Sequence, residues 1–265
     1  MSDVAAAFPQ RCDRPAIKPI TLDHPWQWIA KGWNDMKRAP RFSLAYGACF
    51  VLVSWLLTLG LLADGAFFVV PVLAAGFFLV APLLGIGLYQ ISETLQRGEQ
   101  VKFCTALSAW RRNSVHLWAM AFVLVLTLLA WMLSALLVFA LLYDQPAPTW
   151  DHFIWVVLLS GESPAFLFTG TIVGAAIAFF TFSISVITVP MLMDRQGDVV
   201  EAMQTSLAAV RENWLAMGLW AALIVLFVGF GLLTYYLGLL VLMPIVGHGT
   251  WHAYRDLVGV RDAVD

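Results

Sequence analysis

Two histidines near the end of the chain are the side chains whose types and spacing come closest to a reactive site. His248 and His252 stand four residues apart in the segment GHGTWH, so a helix would place both imidazoles on one face. The spacing suits metal ligands and suggests a metal or haem site. One helix, however, supplies only two of the three or four ligands that a metal usually takes. In the alternative interpretation, His248 hydrogen-bonds to a neighbouring helix and His252 belongs to an interfacial aromatic belt.

Three prolines relate these histidines to other polar residues. Asp194 and His248 lie four positions after Pro190 and Pro244, and Gln90 and His252 lie eight positions after Pro82 and Pro244. With Glu93 they form the set Gln90, Glu93, Asp194, His248 and His252. If three hairpins pack around a common axis, this set lines one polar vestibule at the cytoplasmic face, suited to holding a cation or passing protons. In the alternative, Glu93 and Asp194 pair with Arg97 and Arg195 at the membrane edge.

The composition determines which kind of fold must position these residues. Hydrophobic residues make up 61% of the 265-residue chain, charged residues only 12%, and the mean hydropathy is +0.81. A soluble domain of this length cannot bury so much apolar surface, so the chain is predicted to lie in a bilayer. No nucleophile elbow, phosphate loop or dinucleotide fingerprint is present, which argues against an enzyme and against a bound cofactor.

Apolar segments of about 20 residues, the length that crosses a bilayer, recur along the chain. They are predicted at residues 42–62, 67–91, 117–142 and 166–192, and as two further helices within 214–254 that turn between 230 and 238. Amphipathic segments precede each pair, at 24–38, 99–113 and within 190–213. The predicted fold is therefore all-α: a polytopic membrane protein with six transmembrane helices in three hairpins, each preceded by a cytoplasmic interfacial amphipathic helix.

Two details support this division of the chain. In the first amphipathic segment, Trp26, Ala30 and Trp33 share one helical face while Asp35 lies elsewhere, as suits a helix in the membrane interface. The segments 105–113 (TALSAWRRN) and 205–213 (TSLAAVREN) also match at Thr, Leu, Ala, Arg and Asn. We interpret this match as an internal repeat.

The charges predict the orientation. All 15 lysines and arginines fall before the first span, in the two linkers at 92–116 and 193–213, or after residue 254. The opposite loops contain only Asp64, Asp144, Asp151, His152 and Glu162 among their charged and histidine residues. By the positive-inside rule both termini are cytoplasmic. The predicted parts are a flexible cytosolic tail at 1–23, the membrane domain at 24–258 and a short cytosolic tail at 259–265. Topology explains the basic residues, so no nucleic-acid partner is expected.

Three motifs resemble those of a family of uncharacterised bacterial integral membrane proteins. They are APLLGIGLYQIS at residues 81–92, VPMLMD at 189–194 and LMPIVGHGTWHAYRDLV at 242–258. The resemblance covers roughly residues 18–258 and implies the bacterial inner membrane, without an established activity or catalytic residues. Some family members are automatically labelled cytochrome c oxidase subunit I. Six short spans with five histidines cannot supply the haem and copper ligands of such a subunit.

These observations leave three functional hypotheses. The first is an interaction, assembly or accessory protein whose partner in the lipid bilayer is another membrane protein or a second copy of the chain. The second is a small-solute or ion transporter or channel that uses the polar vestibule. The third is a metal- or haem-binding membrane protein with His248 and His252 as ligands.

Overall fold

The structure is a computed structural model that describes residues 15–66, 69–102, 109–143, 163–195 and 197–258. Within these ranges the regular structure is helical. The helices are α1 (His24–Arg38), α2 (Pro40–Ala63), α3 (Val69–Leu84), α4 (Ile86–Gln96), α5 (Ser114–Leu142), α6 (Pro164–Ser185), α7 (Thr188–Asp194), α8 (Val199–Glu212), α9 (Trp214–Leu233) and α10 (Leu239–Val258), with one 3-10 turn at Ala109–Arg111. The all-α prediction is confirmed for this part of the chain.

Five helical stretches in the described ranges are long and apolar enough to cross a membrane. They are Pro40–Ala63, Val72–Gln96, Ser114–Leu142, Pro164–Asp194 and Trp214–Leu233, close to the first five predicted spans. The predicted sixth span corresponds to α10, which is not among them. Its second half contains His248, His252, Arg255 and Asp256, and these lower its hydropathy. The turn before α10, at residues 234–238, lies in the predicted interval.

α10 is the central helix of the bundle. It packs along α1 and α2 and also contacts α4 and α9, and all its residues from 243 to 254 are buried. Two glycines let the neighbouring backbones approach closely. A Cβ on Gly32 of α1 would lie 2.4 Å from the Ile245 carbonyl oxygen, and one on Gly47 of α2 would lie 2.2 Å from that of Leu240. Small residues at such crossings are the usual means of close helix packing in membranes.

The three helical segments that follow the aligned prolines meet at one end of the bundle. Pro82 interrupts the stretch that becomes α4, Pro190 lies in the short α7, and Pro244 begins the buried half of α10. α4, α7 and α10 contact one another, and residues 86–95 and 188–193 are buried throughout. We call this end, where α1, α4, α7 and residues 244–258 lie, the polar end. The segments that follow the three aligned prolines thus lie together at this end of the bundle.

α1 and α8 both turn their small and polar residues toward the bundle. In α1 the buried positions include Trp28, Gly32 and Asp35, whereas Trp26 and Trp33 are exposed. In α8 the buried positions are Ala202, Thr205, Ser206, Ala209 and Val210. The side of α1 that packs against α10 is therefore the side opposite Trp26 and Trp33, and this side includes Asp35.

The two asparagines of the predicted repeat occupy matching positions. Asn113 directly precedes α5 and Asn213 directly precedes α9. The Asn113 amide donates to the Gly197 carbonyl just before α8 (3.2 Å). The Asn213 side chain binds the chain just before α1, accepting from the Ile20 N–H (2.8 Å) and donating to the Lys18 carbonyl (3.3 Å). Each asparagine therefore ties the start of one hairpin to the segment that leads into an amphipathic helix.

Several predictions concern residues outside the described ranges. These are most of the tail at 1–23, the central part of the amphipathic segment at 99–113, the loop containing Asp144, Asp151, His152 and Glu162, and the tail at 259–265. The described part of the N-terminal segment lies beside the C-terminal helix, where the Lys18 N–H donates to the Leu257 carbonyl (2.8 Å).

Candidate functional site

A buried carboxylate is the centre of the largest polar network at the polar end. Asp35 of α1 is only 3% exposed. Its Oδ2 lies 2.8 Å from Nε2 of His252. An ionised carboxylate can only accept, so His252 must donate to it. Ser92 and His248 are close enough to lower the pKa of the Asp35 carboxyl. We call this group of side chains the Asp35 network: Ser43, Asp35, Ser92, Gln96, His248, Trp251 and His252.

Donor and acceptor roles in one arm of the network follow from its tryptophan. The Trp251 indole N–H can only donate, and it donates to Oε1 of Gln96 (3.0 Å). The Gln96 amide nitrogen is therefore the atom that faces Nδ1 of His252, at 3.2 Å. It donates, so Nδ1 accepts and Nε2 carries the proton that His252 donates to Asp35.

The second arm runs through His248, which is fully buried. Its Nδ1 lies 2.8 Å from the Ser92 hydroxyl, and its Nε2 lies 2.9 Å from the Ser43 hydroxyl. Every ring nitrogen of the two histidines therefore has a side-chain partner.

The network joins four helices through one negative charge. Asp35 lies on α1, Ser43 on α2, Ser92 on α4 and both histidines on α10. Burial by itself would raise the pKa of the Asp35 carboxyl, but interactions with His252, Ser92 and His248 outweigh burial and hold that pKa below its ordinary value of 3.8. The carboxylate is therefore ionised at neutral pH and accepts a hydrogen bond from His252.

Glu93 belongs to a second network on the outer side of α4. This carboxylate is 3% exposed and forms ion pairs with Arg97 and Arg112. The Gln90 amide donates to Glu93 (2.9 Å) and accepts from Arg112 through its oxygen (3.2 Å). Gln90 and Glu93 are thus neighbours, as the vestibule hypothesis requires, but the predicted Glu93–Arg97 pair is also present.

Asp194 belongs to a third network, between α7 and the end of α10. Its Oδ2 accepts from the Tyr254 hydroxyl (2.6 Å) and from the Arg255 guanidinium (3.2 Å). Arg195, the partner expected from the sequence, donates instead to the Tyr254 oxygen (3.2 Å) and the Val258 carbonyl (3.3 Å). Tyr254 therefore stands between Asp194 and Arg195.

The five predicted vestibule residues all lie at the polar end, but in three separate networks. Gln90 and Glu93 share one, His248 and His252 share another, and Asp194 is in the third. In the described ranges, no three His, Cys, Asp or Glu side chains are grouped so that they could hold a metal ion. A metal or haem on His248 and His252 stays a prediction, and it would have to displace the serine, glutamine and aspartate partners.

Asp35, Ser43, Ser92 and Gln96 are the site residues that the sequence did not single out. They stand on three different helices, so their meeting depends on how those helices are rotated. One signal was present in the sequence, because Trp28, Gly32 and Asp35 follow helical spacing on the side of α1 opposite to Trp26 and Trp33. A glycine on that side indicates a close helix crossing beside the acid.

With this geometry in view, the chain can be compared with known proteins. Residues 69–194 match the family described as predicted integral membrane protein (DUF2189). This match covers just under half of the 265-residue chain and is a similarity to an uncharacterised membrane-protein family. The family match runs from α3 to α7 and contains Ser92, Gln96 and Asp194, while Asp35 and the two histidines of α10 lie outside it. Searches of curated proteins and of solved structures found no match.

Proposed function

We propose that the protein is an accessory or assembly protein of the bilayer rather than a carrier of solutes or a metalloprotein. The observation that carries this proposal is that the histidines of the Asp35 network have all their hydrogen-bond partners within the protein. Both ring nitrogens of His248 and of His252 are bound to side chains of the same protein, and His248 is fully buried. Buried polar groups with all their partners in place make a specific, rigid core. A cargo that bound to these histidines would have to displace their present partners.

The depth of the network supports the same proposal. Ser43 is the fourth residue of the 24-residue α2, and Gln96 is the last residue of α4. At a rise of about 1.5 Å per residue, Ser43 lies only about 5 Å from the beginning of its helix. A translocation path would need polar groups near the middle of the spans, whereas these groups occupy one end.

The outer face of α9 offers a surface for a partner. A Cβ added to Gly218 or Gly229 would meet no atom within 4 Å, and Ala222 between them is exposed. Glycine and alanine on a membrane helix allow a second helix to approach closely. We infer that this face receives a transmembrane helix of another protein or of a second copy of the chain.

Copurification tests the proposal. Tagged protein extracted in a mild detergent is expected to bring a stoichiometric membrane partner or a second, differently tagged copy with it. Gly218→Leu combined with Gly229→Leu is expected to remove that partner. Gly60→Leu is the matched control, because a Cβ on Gly60 of α2 also meets no atom within 4 Å. A protein that is solitary in native membranes, or equal loss of the partner with the control, would overturn the proposal.

We further propose six spans, with both termini on the cytoplasmic side of a bacterial inner membrane and α1 and α8 in its interface. The bond between Lys18 and Leu257 places the two ends of the described chain together, which an even number of crossings requires. The exposed Trp26 and Trp33 of α1 suit the interface. Single cysteines at Gly98 and Asp64 should react with impermeant thiol reagents from opposite sides, and labelling from the same side would exclude this topology.

Transport is the second candidate, because the interrupted helices around Pro82 and Pro190 converge beside α10. Broken helices that meet at one place are typical of transporter sites. Proteoliposome flux that disappears in an Asp194→Ala, His248→Ala double variant, with the protein still folded, would favour transport over assembly. Flux that is absent or unchanged in this variant would count against it.

A further inference from the structure

A polar pocket lies outside the three networks, at the surface of the polar end. It has a volume of about 610 Å³ and is formed by the N-terminal segment, α1, the end of α4 and the end of α10. Its lining includes Lys18, His24, Lys31, Gln96, Arg255 and Asp256. The pocket is open to the outside, so a molecule could enter it without rearrangement of the helices.

The lining is basic, and some of its hydrogen-bond donors have no acceptor among the described residues. Three cations, Lys18, Lys31 and Arg255, face a single carboxylate, Asp256. That carboxylate is already bound by the Lys31 ammonium (2.9 Å) and by the Trp28 indole N–H (2.8 Å). The Lys18 ammonium is exposed and has no side-chain partner among the described residues. An ammonium has three donors and a guanidinium five, so donors remain for an anion.

Two further lining residues, Gln96 and Arg255, offer donors whose positions are fixed by other contacts. Gln96 uses its oxygen for Trp251 and one amide hydrogen for His252, which leaves its second amide hydrogen. Arg255 is held in place by Asp194 and by the ring of Trp251, whose centroid is 5.8 Å away. A tetrahedral oxyanion can accept from several such donors at once.

The position of the pocket indicates the source of the anion. Its wall α1 presents Trp26 and Trp33 on its exposed outer face, and tryptophans of this kind lie at headgroup level. Basic pockets between helices at this depth suit the phosphate of an anionic lipid. We propose that the pocket binds a phosphate group, either the phosphodiester of an anionic lipid headgroup or a soluble phosphate.

The full-length protein in a neutral maltoside detergent is suited to the test. Binding of short-chain phosphatidylglycerol, short-chain phosphatidylcholine and inorganic phosphate would be followed by the shift of the thermal unfolding midpoint. Lys18→Gln is expected to weaken phosphatidylglycerol binding about five-fold, because one basic residue near the surface contributes about that factor. Lys18→Gln with Lys31→Gln should weaken it about 25-fold, and added salt should weaken it further.

Lys37→Gln is the matched control. Lys37 is also a lysine of α1, but it is exposed and lies over the ring of Trp33, 5.9 Å from its centroid, and it does not line the pocket. Binding of phosphatidylglycerol alone would assign the pocket to a headgroup. Binding of inorganic phosphate with the same dependence on Lys18 would assign it to a phosphate group that a soluble molecule can supply. The proposal is overturned if neither probe binds, if phosphatidylcholine binds equally well, or if Lys37→Gln weakens binding as much as Lys18→Gln.

Discussion

The two ends of the helix bundle are packed by different means. At the polar end, helices cross at Gly32 and are joined by the Asp35 network, and residues 86–95 of α4 are completely buried. At the opposite end, α2 exposes Leu56 (70%) and Leu59 (61%). Between α2, α3 and α5 the chain also leaves an apolar cleft of about 510 Å³, with Phe77 on its wall.

This difference follows from what each end can use for packing. Lipid tails are as apolar as leucine, so apolar side chains gain little by leaving lipid for protein. Close backbone contact and hydrogen bonds remain as the forces that choose one arrangement of helices. The chain places both at the polar end, and we therefore expect substitutions there to unfold the protein and equivalent substitutions at the opposite end to be tolerated.

Removing the central carboxylate should give the largest effect. Asp35→Ala leaves the donor of His252 buried without its acceptor, and loss of one partner from a buried charged network costs about 3 to 5 kcal/mol. Reversible unfolding in mixed micelles would measure the loss. Asp64→Ala, at an exposed loop acid, is the control and should change the free energy of unfolding by less than about 0.5 kcal/mol. Equal effects of the two would remove the distinction between the ends.

The close crossings should give the next largest effect, with opposite signs at the two ends. Gly32→Ala places a methyl group 2.4 Å from the Ile245 carbonyl oxygen and should destabilise by about 1 to 3 kcal/mol through overpacking. Gly60→Ala has open space and should be neutral or stabilise by about 0.5 to 1 kcal/mol, because alanine favours helix. The same unfolding measurement compares them, and a destabilising Gly60→Ala would count against the proposed role of the crossing.

How far these features can be predicted from sequence differs between the two ends. Hydropathy alone identifies the five apolar spans, because each depends only on local composition. The proline spacing relates α4, α7 and α10 to one another but does not determine that they meet. The partners of the histidines could not be predicted, since the contacts of Asp35 and Ser43 with them depend on helix rotations that local patterns do not determine. α10 combines an apolar first half with a second half that lies at the polar end, and its hydropathy alone does not identify it as a span.

Acid should weaken the polar end by a smaller amount than loss of Asp35. The pKa of Asp35 is lowered in the folded protein, so its ionised form contributes stability above the ordinary value of 3.8. This contribution is lost as the pH falls through the lowered pKa. The difference in unfolding free energy between the wild type and Asp35→Asn should therefore shrink only at strongly acid pH. A difference that grows on acidification would contradict an ionised Asp35.

The surface pair at the rim of the pocket should matter least for stability. Lys31 and Asp256 form an ion pair at 2.9 Å, but their side chains are 41% and 28% exposed. Such pairs contribute about 0.2 to 1 kcal/mol, so Lys31→Gln should lower the free energy of unfolding by no more than that. If Lys31→Gln lowered the free energy of unfolding as much as Asp35→Ala, the Lys31–Asp256 pair would stabilise the protein as much as the Asp35 network, and the account would be wrong.

The most direct test of the account is a double-mutant cycle between Asp35 and His252. Unfolding free energies would be measured for the wild type, Asp35→Asn, His252→Ala and the double variant in the same micelles. If Asp35 is the centre that holds α1 to α10, the two substitutions should be coupled by about 1 to 3 kcal/mol, as for residues of one network. Effects that add within about 0.5 kcal/mol would show that the two side chains act independently and would contradict the account.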